Sequence, residues 1–289
     1  MRRRDFLTTV AAAGLLPLVT GRAAAAATAP VAAAPEQLKL GVASYSLRKF
    51  PFDKALEMAK ACDVHYINFK DVHLARTEPP DAIKAARAKT EAAGFTIMGG
   101  GTITWVQKGA TWQDSDTEQV RKDFEYAKLA GMPLIVAAPS FEALDTVEKT
   151  AKEFDIKVAI HNHGPEDKFF PSPYDVYKHV KGRDKHMGLC VDIGHTWRAG
   201  VDPTKAVLEL HDRVYDLHVK DLANLKDRDS QVIVGKGLID FPALFRALVK
   251  INYTGHVGLE YEIDVDNPLP GMLQSFAYMR GVLAGIRPT

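Results

Sequence analysis

Short apolar runs recur along the chain, separated by longer stretches with helical spacing. The runs Leu40–Ser44, Tyr66–Lys70, Thr96–Gly100, Leu134–Ala138, Lys157–His161, Gly188–Asp192, Tyr215–Val219 and Val257–Tyr261 have the length and composition of buried strands. Between and after them, "FDKALEMAKA", "PDAIKAARAKTEAAG", "DTEQVRKDFEYAKLAG", "FEALDTVEKTAKEF", "SPYDVYKHV", "DPTKAVLEL", "DFPALFRALVK" and "GMLQSFAYMRGVL" place apolar residues at helical spacing. Several carry Pro in the first turn, where its missing N–H costs nothing. Strand and helix alternate eight times, the signature of a parallel sheet with helical crossovers. Eight such units in roughly 250 residues predict an α/β fold, a single (β/α)8 TIM barrel over residues 38–289. No G-x-G-x-x-G follows the first strand, where "GVASYSLRKFP" stands, which argues against a dinucleotide-binding sheet.

The first 29 residues read differently. "MRRRDFLTTVAAAGLLPLVTG" joins a basic start to an Ala-rich apolar run, and "RAAAAATAPVAAAP" supplies small residues for cleavage. Arg3-Arg4-Asp5-Phe6-Leu7 fits a twin-arginine export signal. The expected location is therefore the periplasm. The apolar run is broken by Gly14 and Pro17 and is too short to span a bilayer, so no stable membrane anchor is expected. The whole chain holds 37 Lys and Arg against 36 Asp and Glu. Taking away the four arginines and one aspartate of the leader leaves 33 against 35, a formal −2, which disfavours a nucleic-acid partner. Cys62 and Cys190, the only two cysteines, are expected as separate buried thiols.

Strands alternate faces, so residues two apart share a side. In the seventh run Tyr215, Leu217 and Val219 face the helices, which sends Asp216, His218 and Lys220 into the barrel. The same reading turns His161 and His163, Asp192, and Glu260 and Glu262 inward on the fifth, sixth and eighth runs. Reactive groups of such barrels sit at the C-terminal ends of the strands. Four successive strands thus aim His161, Asp192, His218 and Glu260 at that end. Two carboxylates and two imidazoles buried together are unfavourable without compensation. One divalent metal ion of the Mn2+, Zn2+, Co2+ or Mg2+ type compensates them and suits these donors.

With those motifs in view, the chain resembles the xylose isomerase-like barrels, also called sugar phosphate isomerases/epimerases. The resemblance runs from "LKLGVASYSL" to the last helix. It is carried by "GLCVDIGHTWRAG", "LHVKD", "VGKGLIDF", "GLEYE" and "INFKDVHLART". It implies Asp192, His218 and Glu260 as metal ligands and His195 as a contact to a substrate oxygen or a residue that orients a ligand. One position departs: where the family's sugar epimerases carry a glutamate at the end of the fifth strand, serving as ligand and as one of two opposed bases, this chain has His161. A metal-bound imidazole lacks the lone pair a base needs, so two-glutamate epimerisation does not carry over directly.

The expected reaction is proton abstraction beside a carbonyl of a sugar or keto-sugar, as an isomerase or epimerase. The first alternative is a lyase or hydrolase that cleaves 3-keto-glycosides by metal-assisted β-elimination, for which one base suffices. The second is a sugar-binding barrel without catalysis. Candidate catalytic residues are His163, His195, Lys220 and Glu260. Candidate contacts to a carbohydrate substrate are Lys70, His73, Trp105, Trp197 and Glu262. A phosphorylated substrate finds little support, since Gly235-Lys236-Gly237 is a thin phosphate cradle.

Overall fold

The computed structural model describes residues 38–106 and 112–286. The expected leader, residues 1–29, lies outside them. Eight parallel strands close into a barrel: β1 (Lys39–Ala43), β2 (Tyr66–Phe69), β3 (Thr96–Trp105), β4 (Leu134–Pro139), β5 (Lys157–His161), β6 (Met187–Asp192), β7 (Val214–Val219) and, last in the chain, β10 (His256–Leu259). The ring closes where β10 pairs with β1 on one side and β7 on the other. β8 (Asp221–Leu222) and β9 (Gln231–Val232) form a small antiparallel ribbon after β7.

The helices are α1 (Phe52–Ala61), α2 (Pro80–Ala92), α3 (Asp114–Leu129), α4 (Leu144–Phe154), α5 (Pro173–Val180), α6 (Ile193–Arg198), α7 (Pro203–Glu209), α8 (Phe241–Lys250) and α9 (Leu269–Gly285). α8 shows why they form. Phe241, Leu244, Phe245 and Leu248 recur every three or four residues and are all buried. Asp240 caps the start by accepting from the Ala243 N–H. The main apolar core lies between strands and helices. A second, small cluster of Leu134, Val136, Ala159 and Cys190 fills part of the barrel interior.

β3 and α6 differ from expectation, and the β8–β9 ribbon has no counterpart among the expected elements. β3 runs on past Gly100 to Trp105, because pairing with β4 resumes at Ile103 after a register shift. Gly101, at φ 119, takes the turn that this shift needs. The short helix α6, directly after β6, has too few turns to leave a periodic signal. The two thiols are free and buried, as expected, and burial pushes Cys62 up to about 12. No described helix is long and apolar enough to cross a membrane. Gly235 and Gly237 both donate their N–H groups to Asp221 Oδ2 at 2.9 Å, so this loop is organised by a buried carboxylate of its own chain.

Ser46 fastens the closing seam beside Glu260. Its hydroxyl donates to the Leu259 carbonyl at 2.9 Å and accepts from the Tyr261 N–H at 2.8 Å. The backbone on both sides of Glu260 is held by this one side chain. Ser46→Ala leaves a buried C=O and N–H unpaired and is expected to cost about 1–3 kcal/mol. Urea denaturation checks this, and an unchanged midpoint would contradict it.

Candidate active site

The C-terminal ends of β5, β6 and β7 and the residue after β10 carry His161, Asp192, His218 and Glu260, all buried. Glu260 stays aligned with the barrel because its N–H donates to the Val219 carbonyl at 2.9 Å. The two imidazoles meet at 2.9 Å, His161 Nε2 to His218 Nδ1. Asp192 Oδ2 lies 3.5 Å from His161 Nε2, and Glu260 Oε2 lies 3.4 Å from His218 Nδ1. One ligand atom from each of the four lies within 4.8 Å of the others.

The ionisation states fit a divalent cation. Burial and the neighbouring His163 hold His161 well below the ordinary imidazole range. Burial would raise the Asp192 carboxyl, but Lys220 and the nearby histidines hold it well below the ordinary range. Glu260 is likewise held down, against burial, by His218, Lys220 and Lys70. Neutral imidazole and ionised carboxylate are the ligating forms. Cys190 Sγ lies close enough to His161 and His218 to offer a second set. Burial and Asp216 push that thiol up, and it points to Asp216 Oδ2 at 3.6 Å. The carboxylate set therefore fits a divalent metal better.

Two further histidines flank this floor in opposite tautomers. His163, half-exposed in the loop after β5, places Nδ1 3.2 Å from Asp167 Oδ2. Asp167 also accepts N–H bonds from Phe169 and Phe170. Although burial opposes it, these bonds and His163 hold its carboxyl at about 2. It is an acceptor only, so His163 turns a protonated Nδ1 toward it, which leaves Nε2 as the nitrogen that can offer a lone pair. His195 sits on α6, and its Nδ1 is 2.9 Å from Arg198 Nη1. Arginine only donates, so His195 keeps its proton on Nε2. Burial also lowers its pKa. One imidazole is equipped to take a proton and the other to donate a hydrogen bond. Arg198 is in turn paired with Glu166.

A cavity of about 380 Å³ opens onto this set, lined by Tyr45, Lys70, Thr102, His161, His163, His195, Glu260 and Glu262 among others. An adjoining cavity of about 280 Å³ shares His195, Arg228 and Glu262 with it and is walled by Lys220 and Arg48. A larger one, about 480 Å³, lies at the opposite end of the barrel around Lys157, His186 and Tyr253, away from the four donors.

The structure brings most of the expected site residues together and leaves three elsewhere. Lys70 Nζ lies 3.2 Å from Glu260 Oε1 and bonds Thr102. Glu262 pairs with Lys220 at 2.6 Å. His73 is buried below the cavity, its ring bonded to Ser44 and the carbonyls of Leu47 and Phe50, where it pins the turn after β1. Trp105 is buried and stacks on Phe124, with Nε1 donating to Asp123 at 2.8 Å. Trp197 packs partly buried against the core and lines neither site cavity. Lys220 is present but unsuited as a base. Burial would lower its pKa, yet Asp192, Glu260 and Glu262, at 3.2, 3.0 and 2.6 Å, raise it well above the ordinary range. Sequence reasoning missed Asp167 and Arg198. Their only signal is spacing, four residues after His163 and three after His195.

A family profile described as xylose isomerase-like TIM barrel matches residues 56–282. An inosose dehydratase of Histophilus somni (strain 129Pt) is 29% identical over 165 residues, 50% of this chain and 54% of that protein. The rhizopine catabolism protein MocC of Rhizobium meliloti is 27% identical over 141 residues, 44% and 42% of the two chains. The chain spans about half the length of these relatives. Among solved structures, a protein of Parabacteroides distasonis ATCC 8503 superposes with a TM-score of 0.65 at 25% identity, over 85% of this chain and 99% of its own. The IOLI protein with a binding zinc atom superposes with a TM-score of 0.72 at 14% identity, over 87% and 100%, a likeness of fold.

Proposed function

The chain belongs to the xylose isomerase-like TIM barrel family, and from that membership we propose a divalent-metal-dependent lyase acting on a keto-sugar or keto-glycoside. The observation that carries this reading is the four-donor floor flanked by one proton-accepting and one proton-donating imidazole. A divalent ion held by His161, Asp192, His218 and Glu260 would polarise the substrate carbonyl and acidify the neighbouring C–H.

His163 Nε2 takes that proton, with Asp167 stabilising the imidazolium that results. The C–H electron pair becomes a C=C bond, and the C–O bond on the next carbon breaks. His195 Nε2–H orients a substrate oxygen by donating to it. Lys220, kept protonated and facing the adjoining cavity, holds a proton for the departing oxygen. That second cavity gives the leaving group room. Elimination needs one base. The fifth-strand position that would supply a second is His161, whose Nε2 belongs to the donor set. The inosose dehydratase relatives, by their name, also expel water, which supports the same reading.

Isomerisation or epimerisation of the same keto-sugar is the second reading. It starts with the same proton transfer, and the Lys70–Glu260 pair on the cavity wall offers groups for returning a proton. Metal-loaded protein incubated with a 3-keto-glycoside in deuterated water separates the two. Release of the aglycone supports the lyase. Deuterium incorporation without release supports isomerisation. Sugar binding with neither would leave a non-catalytic barrel. We further propose that residues 1–29 direct export through the twin-arginine route. Lysines in place of Arg3 and Arg4 are expected to keep the protein in the cytoplasm on fractionation, and undiminished export would overturn this.

A further inference from the structure

TIM-barrel interiors are usually filled by layers of branched apolar side chains. Below the four donors this interior stays polar for another layer. Asp216 lies there with Asn68, Cys190 and His256, each no more than 1% exposed. Four groups surround its carboxylate. Asn68 Nδ2 is 3.2 Å and Cys190 Sγ 3.6 Å from Oδ2. His256 Nδ1 is 3.4 Å from Oδ1, and His218 Nε2 is 3.7 Å from Oδ2. His256 packs against two glycines. A Cβ on Gly41 would lie 2.5 Å from its Nε2, and one on Gly258 2.6 Å from its Cε1; at Gly41 the Tyr66 carbonyl leaves no room for a Cβ either. A buried carboxyl group is costly without compensation, and an apolar residue would fill this layer more cheaply.

The ring of His218 explains the arrangement. Nδ1 faces His161 and Glu260, so it is the ligand atom. Nε2 lies on the far side, buried and without a hydrogen-bond partner, and Asp216 is the carboxylate it faces. At 3.7 Å the two are not hydrogen-bonded, but a nitrogen lone pair aimed at a carboxylate is repelled and an N–H is attracted. We infer that Asp216 is a positioning residue for the metal ligand His218: it keeps the ring proton on Nε2 and the Nδ1 lone pair free for the ion, and Asn68, donating to its Oδ2, holds Asp216 in place. Metal-binding histidines commonly donate their second ring N–H to a carboxylate, and loss of that partner weakens metal binding about 10–100-fold. The inference rests on the metal-binding reading above.

Two measurements test it. In metal-free wild-type protein labelled with 15N-histidine, the His218 ring is expected to carry a proton on Nε2, its signals assigned by their loss in His218→Gln. A ring with its proton on Nδ1 and none on Nε2 would overturn the inference. Asp216→Asn and Asp216→Leu are titrated with Zn2+ against a chromophoric chelator, with thermal unfolding of the metal-free forms recorded alongside. Affinity is expected to fall about 10-fold for Asn and about 100-fold for Leu. Wild-type affinity in a folded Asp216→Leu protein overturns the inference and leaves the metal reading intact. No Zn2+ binding by the wild type overturns both. Where Asp216→Leu fails to fold, the tautomer in the wild type decides.

Discussion

Asp192→Asn is expected to abolish stoichiometric divalent-metal binding and to lower turnover at least about 1,000-fold, as several kcal/mol of transition-state stabilisation depart with the ion. Asn is the informative replacement. Asp192 works with both oxygens: Oδ1 accepts the His195 N–H at 2.8 Å and caps α6, while Oδ2 faces the donor set. The amide oxygen of Asn still caps the helix, so the loss reports on the charge at Oδ2. Glu260→Gln is the companion, with the Ser46 clamp holding its backbone unchanged. Equilibrium dialysis followed by elemental analysis measures the bound metal. One ion per chain retained in both variants would sink the site.

His163→Ala is expected to leave metal content intact and to lower kcat about 100- to 10,000-fold, the usual range for a removed general base. Added imidazole should restore part of the rate. A variant as active as wild type, with proton exchange at the substrate intact, would assign the base elsewhere. Asp167→Asn loses the carboxylate that orients His163 and has a second, separable effect on stability. The Asp167 carboxyl sits at about 2 in the folded chain, against about 3.9 unfolded. Its contribution is therefore present in full above about pH 4 and is lost as pH falls toward 2. It amounts to about 2 kcal/mol. Denaturation at pH 7 should show the wild type ahead of Asp167→Asn by that order, with the gap closing on acidification.

How much of this is legible in the sequence depends on the kind of signal. The barrel was legible, because eight apolar runs each span a whole strand and repeat at regular spacing. The inward faces of the fifth to eighth strands were legible for the same reason: a period of two sends Asp192, His218 and Glu260 to one side once their apolar neighbours are assigned outward. Beyond the strand ends that rule stops. His73 and Trp105 follow or end strands just as His163 and His195 do, yet His73 folds back against the turn after β1 and Trp105 against α3, where backbone carbonyls and Asp123 receive them. The role of Lys220 turned on its count of carboxylate neighbours, three from two strand ends, which no local pattern records. The opposed tautomers of His163 and His195 came from Asp167 and Arg198, partners set by a loop and by one turn of helix.

The shared duty of Asp192 reaches beyond chemistry. A carboxylate gripped at one oxygen pivots less at the other, so whatever engages Oδ2 also tightens the bond that Oδ1 makes to the His195 amide. That amide lies in the first turn of a helix of six residues whose last, Arg198, steers the His195 ring. Amide hydrogen exchange at His195 therefore becomes a gauge of occupancy, slow in loaded protein and faster in stripped protein, readable without any substrate in hand.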